Sequence, residues 1–146
     1  MEDLHGGLRQ LEKMAAAAGG VGNHRMGLFH AVLIKNNHIA AAGGIRNAIQ
    51  RTHASGLPIE VEIHTRKELR EALDAGAGWL LLDNLTPEEA ARWIREIAGR
   101  AQVELSGGIT LDNVRAYAET GADFVSSGAI THSARAMDIS FRLEVL

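Results

Sequence analysis

The sequence predicts an α/β fold in which strand–helix units repeat and lay down a parallel sheet, in the manner of an α/β barrel. Three observations predict it. Short apolar runs recur at 31–34 (AVLI), 59–63 (IEVEI), 79–83 (WLLLD), 102–105 (QVEL) and 123–127 (DFVSS). Amphipathic stretches of helical length separate them. Each run ends on a polar residue: Lys35, Glu62, Asp83, Ser106, and Ser126 or Ser127, the first four spaced 27, 21 and 23 residues apart. Right-handed crossovers place all strand C-termini on one rim, so these side chains are expected to share a pocket there.

The elements follow in order. In LRQLEKMAAAA, spacing near 3.6 residues puts Leu8, Leu11, Met14, Ala15 and Ala18 on one helical face. AVLI is the first strand, and IRNAIQRTHA the helix after it. IEVEI leads into TRKELREALDAG, where Thr65 and Glu68 form a capping-box signature. WLLLD leads into TPEEAARWIREIAG, where Thr86 and Glu89 repeat that signature with Pro87 at the first helical position. QVEL precedes the helix LDNVRAYAET, and DFVSS closes the series. Gly76, Gly99 and Gly121 stand where helices are expected to stop. DAGAGWLLLDN and ETGADFVSSGA share one layout, an internal echo of the strand–helix repeat.

The 146 residues suit a single domain, read as 1–146. A hydrophobic content of 46% with 23% charged residues excludes a disordered chain. A formal net charge of -3 gives no drive toward nucleic acid or an anionic membrane, and no apolar run approaches the roughly 20 residues of a membrane span. Cysteine is absent, which rules out disulfides and thiolate metal sites and fits a cytoplasmic protein. The acidic start MEDLHGG is no signal peptide.

The chemistry gathers at the strand ends. SGGI (106–109) and SSGAI (126–130) are small-residue loops after consecutive strands, where backbone N–H groups can approach an anion; as a pair they suggest a phosphate site. GGVGNHRMG (19–27) fails as a dinucleotide fingerprint, because Arg25 stands at the third glycine. It does offer His24 and Arg25 near Lys35, and Arg25 with Lys35 would clamp a dicarboxylate or a pyrophosphate. Glu62 and Asp83 suit Mg²⁺–diphosphate chemistry, or stabilisation of a developing cation, or a structural network with Lys35 and Arg25. The histidines, His64 among them, show no zinc-type i, i+4 pair and no support as metal ligands. Trp79 and Trp93 read as packing residues, and His53 as solvated.

From NHRMGLFHAVLIKNNHI (23–39) onward the sequence resembles quinolinate phosphoribosyltransferase, the carboxylating nicotinate-nucleotide pyrophosphorylase family. IEVEIHT, LLLDN, ELSGGITLDNVRAYAETGAD and SSGAITHSARAMDISF extend the likeness in order, from residue 7 to the end. The resemblance implies phosphoribosyl transfer from phosphoribosyl pyrophosphate (PRPP) to quinolinate with loss of CO2 and diphosphate, giving nicotinate mononucleotide for NAD biosynthesis. Mg²⁺ would accompany PRPP. It implies that His24, Arg25 and Lys35 bind quinolinate carboxylates, and that Glu62 and Asp83 lie near the ribose and metal. It further implies that Ser106, Gly107, Gly108, Ser126, Gly128 and Ala129 hold the 5′-phosphate.

The departures shape further expectations. The family places an N-terminal domain before its barrel and enters the barrel on a strand ending T-R-K-T-T-P-G-L-R; here MEDLHGGLR keeps Gly7, Leu8 and Arg9 of it. The expectation is an incomplete, open barrel that lacks the N-terminal domain and first barrel strand. It would then be a homo-oligomer or wait for a companion chain. A lysine of the family's glycine-rich loop is Gly22 here. Each missing charge-assisted contact contributes about 1.5–3 kcal/mol, so the chain alone is expected to turn over slowly or not at all. Two other readings attach to the same residues: a lyase forming a Schiff base at Lys35, and a non-catalytic fragment that binds sugar phosphates.

Overall fold

The computed structural model describes residues 8–23, 31–134 and 136–144. Its centre is a five-stranded parallel sheet: β1 (Val32–Ile34), β2 (Ile59–Ile63), β3 (Trp79–Asp83), β4 (Gln102–Ser106) and β5 (Phe124–Val125), hydrogen-bonded in sequence order. Sequential order in one direction is the strand arrangement of an α/β barrel wall, with β1 and β5 at the two edges among the described residues. The helices are α1 (Arg9–Ala18), α2 (Asn36–Ala42), α3 (Ile45–Thr52), α4 (Arg66–Asp74), α5 (Pro87–Ile97), α6 (Val114–Ala118) and α7 (Ala129–His132).

Strand periodicity divides the residues between two faces. Ile34, Val61, Ile63, Leu80, Leu82, Val103 and Leu105 face the helices and are buried. There they meet Ile45 and Ile49 of α3, Leu69 and Ala72 of α4, and Ala90, Trp93 and Ile97 of α5. The alternate residues form the inner face: Glu60 and Glu62 on β2, Trp79, Leu81 and Asp83 on β3, Glu104 and Ser106 on β4. Trp79 and Phe124 stack across β4 with ring centroids 5.6 Å apart. Trp93 is buried and Trp79 half-buried, so both pack as expected, while His53 is exposed and bonds through Nδ1 to Ile49 O at 2.9 Å.

The capping boxes form. Glu68 N donates to Thr65 Oγ1 at 3.2 Å and Thr65 N to Glu68 Oε2 at 2.9 Å; Thr86 and Glu89 exchange the equivalent pair at 3.3 Å each. Each box satisfies two of the N–H groups that a helix start leaves open.

The apolar face expected of α1 stands uncovered among the described residues, and three expectations need correction. The Leu8, Leu11 and Met14 face of α1 is exposed, the last two at 61%, because the described residues supply no surface to receive it. A separate helix, α2, begins directly after Lys35; His38 Nδ1 accepts from Lys35 N at 3.0 Å and Gly43, at φ 78°, ends it in the left-handed region. The helix foreseen in LDNVRAYAET is confined to α6, since Asn113 bonds to Thr110 N and Gly108 O and holds 108–113 as a turn. DFVSS contracts to two strand residues, although Asp123 N→Val103 O and Ser126 N→Leu105 O extend the ladder on either side.

Helices α4 and α5 are joined at the surface by Glu96, whose Oε1 lies 2.8 Å from Arg70 Nε and whose Oε2 lies 3.9 Å from Arg66 Nη1. The Arg70 hydrogen bond, helped by the charges of Arg70, Arg66 and Arg100, holds the Glu96 carboxyl below its ordinary range. A depressed carboxylate pKa stabilises the fold above the unfolded-state value, and that contribution fades as pH falls through the folded-state value. Glu96→Gln is therefore expected to lower the urea midpoint slightly at pH 7 and to leave it unchanged near pH 2; equal losses at both pH values would refute the linkage.

Candidate functional site

The candidate site lies at the C-terminal ends of β1 to β4. Period-two alternation carries Glu62 inward at the end of β2, and His64 follows on the same side. The register sets Glu62 beside Leu81 and Asp83 beside Ser106, which brings the strand-end polar groups together. Lys35 Nζ stands 3.8 Å from Glu62 Oε1, and His64 Nε2 stands 3.6 Å from Glu62 Oε2. The Glu62 side chain is only 13% exposed, whereas Lys35 is 54% exposed, so a half-sheltered carboxylate is bridged by a solvated ammonium.

Glu62, His64 and Asp83 each present one ligand atom, all within 4.8 Å of one another. This corrects the expectation that no histidine has metal-ligand support. The pairing is i, i+2 along a strand and then across to the next strand, a geometry that helical i, i+4 spacing does not test. His64 Nε2 is buried with no hydrogen-bond partner among the described residues. One imidazole and two carboxylates, with an open buried nitrogen among them, are a donor set that fits a divalent cation.

Asp83 is held from the side. Asn84 Nδ2 donates to Asp83 Oδ2 at 2.6 Å, and Asn84 N donates to Ser106 O at 2.9 Å. Asn84 adopts φ 57°, in the left-handed region, to make both bonds. Gly107 is the reason this fits: it sits at φ 96°, and a Cβ there would stand 2.4 Å from Asn84 Oδ1 and 2.6 Å from Asn84 N.

The two small-residue loops are brought together as expected. Ser127 Oγ donates to Ile109 O at 2.5 Å, joining 126–129 to 106–109. Ser126 serves differently. Its hydroxyl donates to Glu104 Oε1, and its N–H donates to Leu105 O, so both donors are taken within the chain. Ala129 N donates to Ser127 Oγ at 3.3 Å. No hydrogen bond within the described residues takes the N–H groups of Gly107, Gly108 or Gly128. Glu104, only 4% exposed, was not singled out by the sequence; its burial and its bond to Ser126 become visible only when β4 and β5 are paired.

His24 and Arg25 lie outside the described residues. Beside Lys35 a cavity of about 450 Å³ opens along β1, lined by Val32, Leu33, Lys35 and His38 and by Ala41, Ala42, Ala48, Arg51 and Thr52 of α2 and α3. Among the described residues, no helix is long and apolar enough to cross a membrane.

Parallel strands in sequence order, helices on the outer face and charged groups at the C-terminal strand ends define an α/β-barrel domain with its site on the rim. A family model described as quinolinate phosphoribosyl transferase, C-terminal domain, matches residues 4–142, and the chain belongs to that family. It is 44% identical over 137 residues to a probable carboxylating nicotinate-nucleotide pyrophosphorylase of Bacillus subtilis, covering 92% of this chain and 47% of that protein. It is 40% identical to the chloroplastic carboxylating nicotinate-nucleotide pyrophosphorylase of Arabidopsis thaliana, covering 94% of this chain and 46% of that one. The solved nicotinate-nucleotide pyrophosphorylase of Francisella tularensis superposes with a TM-score of 0.87 at 41% identity, over 92% of this chain and 49% of that one. The chain thus spans about half the length of the relatives it matches.

Gly107→Ala should disturb the rim from its base, because the new Cβ meets Asn84 backbone as well as its side chain. A destabilisation of about 1–3 kcal/mol is expected in urea denaturation. An unchanged midpoint would contradict the close approach of the two loops.

Proposed function

We propose that this chain supplies the barrel half of a phosphoribosyltransferase that joins quinolinate to PRPP, releasing diphosphate and CO2 to form nicotinate mononucleotide. The observation that carries the proposal is the convergence of Lys35, Glu62 and Asp83 beside the 106–109 and 126–129 loops, in a member of this family. A dicarboxylate acceptor, a ribosyl cation and a phosphate each need a different partner, and this one rim offers all three.

Each residue then has a role. Lys35, already close to a carboxylate, is exposed enough to turn its ammonium to a carboxylate of quinolinate. The resemblance to the family assigns His24 and Arg25 to the same carboxylates. Glu62 and Asp83 face the ribose, where their negative charge stabilises oxocarbenium character as the bond to diphosphate lengthens. Gly107, Gly108 and Gly128 offer N–H groups to the 5′-phosphate, while Ser106 and Ala129 flank them. Ser126 contributes through Glu104, by fixing the strand end under the phosphate loop. Glu62 and Asp83 would hold Mg²⁺, which when bound neutralises diphosphate charge.

An ammonium ion-paired with Glu62 is not the desolvated amine that a Schiff base requires, so the lyase reading has no support at Lys35. The proposal extends to a companion. Met137, Ile139, Phe141 and Leu143 alternate along the C-terminal stretch and are 78–83% exposed, the pattern of a strand awaiting a sheet. A second copy or a further domain would cover them, and light scattering is expected to report self-association of the isolated chain.

The reaction is tested by incubating the chain with quinolinate, PRPP and Mg²⁺ and measuring nicotinate mononucleotide. Lys35→Ala is expected to lower kcat/KM by about 10- to 150-fold, the equivalent of about 1.5–3 kcal/mol. Product formed at an undiminished rate by Lys35→Ala would overturn the assignment of that residue.

A further inference from the structure

We infer that His64 is a third ligand of the rim cation and directs the site toward first-row transition ions such as Mn²⁺. The inference rests on the reading of Glu62 and Asp83 as a cation site and goes beyond it, since it concerns an imidazole that the strand-end carboxylates do not require.

Geometry argues first. Donors on one ion at about 2.1–2.2 Å lie about 3.0–4.4 Å apart, depending on whether they are adjacent or opposite. Glu62 Oε2 and His64 Nε2 already stand 3.6 Å apart, and the whole set spans no more than 4.8 Å, so side-chain adjustments of a few tenths of an ångström bring all three to one ion. The same 3.6 Å is too long for a hydrogen bond, so the imidazole is not held here as a bonded partner of Glu62. Its Nε2 is nevertheless buried and has no other hydrogen-bond partner among the described residues. A buried nitrogen left open beside two carboxylates is costly unless something occupies the space between them.

The backbone that carries the ring is held independently. His64 N donates to Glu68 Oε2 at 2.9 Å, the same carboxylate oxygen that caps α4 through Thr65 N. Ile63, one residue back, is fully buried in the core. His64 is therefore fixed at both its neighbours, which pre-organises the ligand instead of leaving it on a loose loop. Asp83 is fixed likewise through Asn84.

Donor chemistry sets the ion. Magnesium prefers oxygen and keeps its waters, whereas an imidazole beside carboxylates favours first-row transition ions, among which Mn²⁺ is the most oxygen-preferring and serves as the paramagnetic probe. Lys35, the present counter-charge of Glu62, is exposed and can withdraw when the ion enters. A chain with this histidine should then bind Mn²⁺ in the absence of PRPP.

The test is Mn²⁺ titration of the 146-residue chain without substrate, read by electron paramagnetic resonance, with pulsed detection of ¹⁴N modulation. The wild type is expected to bind Mn²⁺ and to show imidazole nitrogen coupling. His64→Asn should weaken binding about tenfold or more and abolish the coupling, with an unchanged circular dichroism spectrum. His64→Asp should keep the ion and lose the nitrogen signal, which separates lost ligation from lost folding. Bound Mn²⁺ whose nitrogen signal is absent, or survives in His64→Asn, would overturn the inference and leave the carboxylate site standing. Mn²⁺ binding that is indifferent to Glu62→Gln would overturn the cation site itself, and His64 with it.

Discussion

Everything at the rim depends on the register between β2, β3 and β4. Pairing Glu62 with Leu81, and Asp83 with Ser106, puts Glu62, Asp83 and Ser106, spaced 21 and 23 positions apart in sequence, onto one small surface. A slip of one residue would turn every inward side chain outward, drawing Val61, Leu80 and Leu82 out of the core while pushing carboxylates into it. The apolar outer face pins the register: these residues are fully buried, and burying each contributes about 1.5–3 kcal/mol. The site is thus held by side chains that never touch it.

The inner face shows what this firmness permits. Parallel strands covered on both sides usually read as unbroken apolar runs. Here Glu60 and Glu104 are buried on that face at 1% and 4% exposure, with Ser126 donating to Glu104 from the next strand. Buried carboxylates lower stability unless hydrogen-bonded, and they are tolerated where rigid surroundings hold their partners. A sheet fixed from outside can carry polar side chains on its inner face that a more loosely held core would not tolerate.

Much of this was legible in the sequence, because the signals were local. IEVEI and WLLLD became β2 and β3 without change, since each apolar run is bounded by a turn residue, Pro58 or Gly78, before it. Thr65–Glu68 and Thr86–Glu89 announced their helices because a capping box is complete within four residues. Lys35, Glu62 and Asp83 stand out by their repeated position at strand ends, and the structure brings their side chains near one another. What escaped was non-local or masked by composition. Helix α2 begins on Asn36, Asn37 and His38, which are weak helix formers, and it depends on a bond from His38 back to Lys35 N. The use of Ser126 needs Glu104 on another strand, and the place of His64 needs Asp83. No spacing rule along one segment reaches either.

The central claim is that the strand-end carboxylates and the two glycine loops form one binding site. Isothermal titration of PRPP with Mg²⁺ into the chain, and into Asp83→Asn and Gly128→Val variants of unchanged circular dichroism, tests it most directly. Both substitutions, one at the end of β3 and one in the loop before α7, are expected to weaken PRPP binding about tenfold or more, the loss of at least one charge-assisted contact. PRPP bound with undiminished affinity by both variants would contradict a single shared site.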